Sequence, residues 1–198
     1  MDYIELAGTP KSGKDSIIKG LRDYFHYIGI DITETKGGIS KSPLKEKTSI
    51  EALIWSMCDL QINYLTQRQH VAEYMLLNRG FFDRLIWIEQ YLKLGILNEE
   101  SAIKYTEYWI MSALDRSDTT VFLLITSPET AMERDPRIIN GKSTQSVMNQ
   151  GFLRSFNESC LEAYKKYKSL FKEVYIINET SKNISLCDKM EQIIDNLP

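Results

Sequence analysis

The chain has 198 residues, 43% hydrophobic and 26% charged, with a formal net charge of -3; that suits one domain with a sizeable buried core and argues against general nucleic-acid binding, which needs many cations against phosphates. No run approaches the ~20 apolar residues of a membrane span, and the opening Met1-Asp2-Tyr3-Ile4-Glu5-Leu6 does not read as a secretory signal. Cys58, Cys160 and Cys187 lie far apart and suggest neither a disulfide framework nor a zinc site, so a reduced, cytoplasmic setting is expected.

Short apolar runs alternate with longer stretches of helical period. Tyr3–Ala7 reads as a buried strand. Lys14–Tyr27 reads as a helix, with Ile17, Ile18, Leu21, Tyr24 and Phe25 on one face and Gly29 beyond its end. Ile30–Thr35 reads as a second strand and Gly37–Lys47 as a loop. Ser49–Gln69 is predicted helical, with Leu53, Met57, Leu60 and Tyr64 on one face. Glu73–Asn78 reads as a strand, then Phe82–Leu94 and Glu99–Leu114 as helices, the second capped by Asn98. Thr119–Thr126 is the clearest buried strand. Pro128–Arg134 starts a short helix with proline at an early position, and Arg137–Thr144 is a polar loop. Met148–Phe171 reads as a long helix, Glu173–Ile177 as a last strand and Leu186–Ile194 as a closing helix. Trp55, Trp87 and Trp109 fall on helices, where core packing is the ordinary role of tryptophan. Alternating strands and helices predict right-handed βαβ units and a mostly parallel sheet. Ligands then sit outside the carboxyl ends of the strands, so the residues just after each strand are the candidates.

The first strand ends in Gly8-Thr9-Pro10-Lys11-Ser12-Gly13-Lys14-Asp15-Ser16. Gly8, Gly13 and Lys14 fit the Gly-x4-Gly-Lys-Ser/Thr pattern of a phosphate-binding loop, and Asp15 stands where a hydroxyl is usual. Glycine permits the backbone angles that turn N–H groups inward around an anion. The following helix adds its positive end, and Lys14 reaches the outer phosphates. Lys11 and Ser12 lie in the cradle itself. A carboxylate is a good magnesium ligand, so Asp15 is assigned to a metal site; the alternative source of the hydroxyl is Ser16, toward an inner phosphate.

With these residues the sequence resembles the P-loop nucleoside and nucleotide kinases, thymidylate kinase in particular, in the order of elements along nearly the whole chain. Thr33-Glu34-Thr35-Lys36-Gly37-Gly38 resembles the Arg-Glu-Pro-Gly-Gly stretch of thymidylate kinases without its Arg and Pro. Asn78-Arg79-Gly80-Phe81-Phe82-Asp83-Arg84 resembles their Asp-Arg motif. The resemblance implies that Arg79 contacts a phosphate, that Asn78 replaces the strand-end acid of the magnesium site, and that Glu34 and Asp83 touch substrate. The Glu34 loop reads equally as a plain turn, and Asp83 and Arg84 as a structural ion pair at a helix start. Thr126–Arg137 resembles the approach to a kinase lid, with Arg134, then Arg137 and Lys142, closing over ATP. Gln67-Arg68-Gln69-His70 faintly resembles a substrate-binding stretch and places Arg68 near an acceptor phosphate.

The expectation is therefore a single α/β domain over residues 1–198. It is a three-layer P-loop NTPase fold with a central five-stranded parallel sheet flanked by helices and a small lid at about 134–146. Lys14, Arg79 and Arg134 are the expected catalytic residues. The implied reaction is ATP- and Mg2+-dependent phosphoryl transfer to a nucleoside, a nucleoside monophosphate such as thymidylate, or a similar small acceptor, without nucleic-acid or membrane partners. Kinases of this kind often form homodimers. Two rivals stand: a kinase of another small metabolite, and a regulatory P-loop ATPase that transfers to no acceptor.

Overall fold

The computed structural model describes residues 1–46, 48–135, 148–180 and 184–197. Its elements run β1 Asp2–Gly8, α1 Lys14–Tyr27, β2 Ile32–Lys36, α2 Ile50–Gln67, β3 Tyr74–Asn78, α3 Phe81–Lys93 and α4 Glu99–Ser112. They continue through β4 Thr119–Ile125, α5 Pro128–Glu133, α6 Gln150–Tyr167, β5 Glu173–Asn178 and α7 Leu186–Ile194. Short 3-10 turns occupy Ile39–Lys41, Arg116–Asp118 and Lys168–Leu170.

The sheet is five-stranded in the order β2-β3-β1-β4-β5, with every pairing parallel. Period-two alternation divides its side chains between two cores. Tyr3, Ala7, Met75, Leu77, Val121 and Leu123 pack with residues of α2, α3, α4 and α6. Ile4, Leu6, Leu76, Phe122 and Leu124 pack with residues of α1 and α7. Sheet and two helical layers make the three-layer P-loop architecture expected. The chain leaves β1 in opposite directions along the sheet, and the crevice at that switch point lies over β1 and β3.

Several boundaries move for local reasons. The second strand starts at Ile32 rather than Ile30, because the Ile30 amide donates to the Phe25 carbonyl at 2.9 Å and closes the end of α1. Gly29 makes that closure with a φ of 75°. Helix α4 stops at Ser112, short of Leu114, where the Arg116 guanidinium donates to the Ile110 and Ala113 carbonyls at 3.1 Å. Helix α6 begins at Gln150, where the Asn149 side chain accepts from the Phe152 amide at 2.9 Å, and gives way after Tyr167 to a 3-10 turn. Trp109 is fully buried, and its indole donates to the Phe81 carbonyl at 2.8 Å. Trp87 packs among Tyr91, Phe152 and Phe156. Among the described residues no helix is long and apolar enough to cross a membrane.

Candidate active site

The loop between β1 and α1 has the backbone a phosphate cradle needs. Gly8, Lys11 and Gly13 take φ values of 112°, 61° and 98°, and Gly13 leads directly into α1. Gly8 is also held by space, since a Cβ there would stand 2.2 Å from the Leu124 carbonyl oxygen of β4. The first amides of α1 have no partner within the helix and point, with its dipole, at the cradle. Lys14 curls over the loop. Its ammonium donates to the carbonyls of Gly8 at 2.8 Å and Thr9 at 2.6 Å and to the Ser12 hydroxyl at 3.1 Å. Burial, and secondarily the Arg79 charge, push the Lys14 amine down to about 7.

Asp15 and Ser16 are exposed on the first turn of α1. Asp15 Oδ1 accepts from the Asn78 amide at 2.8 Å and lies 3.7 Å from Lys36 Nζ. Partial burial pushes the Asp15 carboxyl up, but the Asn78 hydrogen bond, Arg79 and Lys36 together hold it below the usual carboxylate range. Asn78 is fully buried, and its side-chain oxygen has no hydrogen-bond partner among the described residues. Asn78 thus turns its amide nitrogen to the carboxylate beside the cradle, and a rotation of that amide would bring its oxygen alongside Asp15. This donor set suits a hard cation that completes its shell with water and phosphate. Among the described residues no cluster of three or more His, Cys, Asp or Glu forms a protein-only metal cage.

Arg79 follows β3 with a φ of 67°, its amide donating to the Leu6 carbonyl at 3.0 Å. That residue conformation carries the side chain across the switch point toward Lys14 and Asp15, on both of which its charge acts. Its guanidinium makes no ion pair among the described residues.

Arg134, at the end of α5, is tied down. It donates to both oxygens of Glu179, at 2.6 and 3.4 Å. Glu179, just past β5, also receives the Thr126 hydroxyl and lies 2.5 Å from Lys189 Nζ, which in turn donates to the Ser12 carbonyl of the phosphate loop at 3.2 Å. Burial opposes the Glu179 charge, but these three donors outweigh it and hold the carboxyl below its ordinary range. A second tie joins Lys11 to buried Asp135 at 3.6 Å. Arg137, Gly141 and Lys142 lie outside the described residues, as does most of the expected lid.

The expected acceptor residues do not converge. Glu34 shares its face of β2 with Ile32, on the α1 side of the sheet, and pairs with Arg22 at 3.5 Å; this corrects its placement at the substrate. Arg68 caps the far end of α2 and pairs with Asp115, which precedes β4, at 3.2 Å. It therefore sits at the amino ends of the strands, away from the cradle, because α2 runs back along the sheet. Asp83 is in reach but buried, bonded to Arg84 at 2.9 Å with both side chains essentially inaccessible.

Two polar centres escaped the sequence reading. Glu5, in the middle of β1, accepts from the Phe82 and Asp83 amides at 2.9 and 2.8 Å and so caps α3 from within the core. Burial pushes its carboxyl up to about 8, against those two amides. Gly80 is obligatory there, since a Cβ would lie 2.8 Å from that carboxylate. The signal was present, an acid between Ile4 and Leu6 in a buried strand. Glu179 is the second, at the one strand end that carried no candidate.

No protein-family model matches the sequence, and no curated protein matches it. Solved structures do match in fold. A deoxyadenosine kinase from M. mycoides, solved with dCMP and dCDP, superposes with a TM-score of 0.70 at 18% identity, covering 98% of this chain and 97% of its own. The same enzyme with dATP matches with a TM-score of 0.70 at 19% identity over 98% of this chain and 97% of its own. Thymidylate kinase from Candida albicans matches with a TM-score of 0.60 at 12% identity over 98% of this chain and 89% of its own. The five-stranded parallel sheet with its loop at Gly8–Lys14 is accordingly the fold of the nucleoside and nucleotide kinases.

Proposed function

We propose that the protein transfers the γ-phosphoryl group of ATP, with Mg2+, to a nucleoside monophosphate or nucleoside. The observation that carries this reading is the convergence of Lys14, the first turn of α1 and Arg79, which has no ion pair among the described residues, on one crevice at the ends of β1 and β3.

Phosphoryl transfer asks the protein for position and charge rather than covalent chemistry. The loop amides orient the donor phosphates. Lys14 exchanges its three loop acceptors for phosphate oxygens and meets the charge that develops on them. Asp15 and the Asn78 oxygen would hold Mg2+, which supplies further charge neutralisation when bound. Arg79 positions a phosphate of donor or acceptor. A monophosphate acceptor suits these residues best, because its oxygen attacks without a general base. Glu34 faces the other side of the sheet and Asp83 is committed to Arg84. Arg134 contributes once it leaves Glu179.

The rival reading, a regulatory ATPase, draws on two features: Asn78 in place of a strand-end acid, and Arg134 latched to Glu179. ADP formation measured with and without a panel of nucleosides and monophosphates separates the two. Acceptor-dependent ADP release is the expected result. Tight ATP binding that no acceptor accelerates would replace the kinase with the switch.

A further inference from the structure

Lys189 is a buried cation that the proposed reaction does not use. Its Nζ lies 2.5 Å from Glu179 Oε2, and both side chains are buried. Stability gives little reason for a lysine there. Replacing a buried ion pair by apolar side chains of similar volume is often neutral or stabilising, and the face of α7 that Lys189 shares with Ile193 otherwise enters the apolar core. A cation near the amino end of a helix also opposes the helix dipole. The position is nevertheless firmly set. Ser185 and Asp188 close a capping box at the start of α7, with hydrogen bonds of 3.2 and 3.1 Å. Met190 packs onto Gly20 of α1, where a Cβ would stand 3.0 Å from its sulfur. So anchored, Lys189 reaches the phosphate loop, and its ammonium donates to the Ser12 carbonyl at 3.2 Å.

We propose that Lys189 is a positioning residue for the phosphate loop: by holding the Ser12 carbonyl from α7, it aims the Gly13 N–H at a phosphate of the donor. In a planar trans peptide the carbonyl and the following N–H point in opposite directions. Lys189 approaches the Ser12–Gly13 peptide from α7, so the N–H faces away from α7, toward the crevice. This peptide is the one that most needs a hold. Gly13 is the N-cap of α1, where no helical carbonyl takes its amide. Its φ of 98° is a conformation that glycine leaves as readily as it enters. The competing orientation is also plain. Lys14 already draws in the Gly8 and Thr9 carbonyls. Without Lys189 the Ser12 carbonyl can turn the same way, where it would face the donor phosphates and repel them. Glu179 completes the arrangement. Its carboxylate balances the Lys189 ammonium, and Thr126 and Arg134 fix that carboxylate in turn. Lys189 therefore acts through the direction of a peptide dipole set before the donor arrives.

The inference rests on the reading that donor phosphates occupy this loop, so its test follows binding and the peptide itself without turnover. Ser12-Gly13 is the only Ser-Gly pair in the sequence. Serine labelled at the carbonyl carbon and glycine labelled at nitrogen therefore give this peptide an NMR signal of its own in the full-length protein. Titration with a non-hydrolysable ATP analogue and Mg2+ should move the Gly13 amide proton downfield. In Lys189→Met the analogue should bind about tenfold more weakly, and the Gly13 shift should fall by about half or more. The double variant Glu179→Leu/Lys189→Met leaves no unpaired charge in the core, and its Gly13 shift should be lost as well. A lysine that merely supported the fold would leave that shift intact in the double variant. Should Lys189→Met fail to fold, the double variant decides. An unmoved Gly13 amide in the parent protein, a parental shift in whichever variant folds, or unchanged affinity in Lys189→Met would each overturn the proposal. An ATP analogue that does not bind the parent removes the donor reading and this inference with it. Binding to parent and variants with the same Gly13 shift removes this inference alone.

Discussion

The two halves of the crevice are finished to different degrees. On the donor side, over β1, β4 and β5, most polar groups already have protein partners. Lys14 holds three loop acceptors, Thr9 bonds to Asn157 at 2.6 Å, and Glu179 gathers Thr126, Arg134 and Lys189. On the proposed acceptor side, under β2, α2 and α3, four side chains keep buried atoms without a hydrogen-bond partner among the described residues: Thr35, Asp59, Arg84 and Gln90. Satisfied networks rigidify, and partly satisfied ones wait for a partner. A shared donor such as ATP can be met by a preformed cradle, whereas selection among acceptors needs groups that only the right ligand satisfies.

Each side of this contrast can be tested by removing what holds it. The largest effect is expected from Lys14→Met, which should lower kcat/KM for acceptor phosphorylation by about 10²- to 10³-fold in an ADP-release assay. Activity within tenfold of the parent would remove Lys14 from the reaction. Next, Glu179→Gln leaves Arg134 and Lys189 without their carboxylate. It should destabilise the fold by about 3 kcal/mol, read from the urea midpoint at constant m-value. An unchanged midpoint would mean that the hub contributes specificity but no net stability.

The pH dependence of Glu5 comes third. Its folded carboxyl is pushed up to about 8 from 4.5. The native state therefore holds a proton that the unfolded chain has lost, and stability falls as pH rises through that window. The contribution is full below 4.5 and gone above about 8. The α3 dipole favours the anion and opposes the effect, which leaves a loss on the order of 2 kcal/mol across the window. Glu5→Gln should flatten that slope in urea titrations at pH 5, 6.5 and 8; a variant with the parental slope would assign it elsewhere. The smallest effect belongs to the metal pair. Asn78→Asp sets a second carboxylate against Asp15 and should cost about 1 kcal/mol in chelator. Mg2+ with ATP should restore the thermal midpoint, and a variant indifferent to Mg2+ would dissolve the metal assignment.

Much of this architecture was legible in the residues because it is written locally. The strand at Tyr3–Ala7, the glycines of the loop and the apolar face of Lys14–Tyr27 are short-range patterns, and each stands where its period and punctuation put it. Boundaries slipped where a side chain or amide from outside the element capped it, as Arg116 does for α4. The acceptor residues were less legible. Glu34 and Arg68 were placed by the resemblance of the short stretches that contain them. A one-residue change of face on β2 and the return direction of α2 carry them away from the crevice.

The sequence by itself determined that a strand, a glycine-framed loop and a helix follow one another at Gly8–Lys14, since that motif depends only on backbone freedom and neighbouring residues. Only the tertiary structure decided what surrounds it. Arg134 meets Glu179 from 45 residues away and the Phe82 amide meets Glu5 from 77. Such pairings exist only once parallel strands have stacked in the order β2-β3-β1-β4-β5. The buried Arg84 nitrogens without a partner among the described residues are a product of the same packing. A buried donor without a partner cannot be read from a chain, because in the unfolded chain water satisfies it.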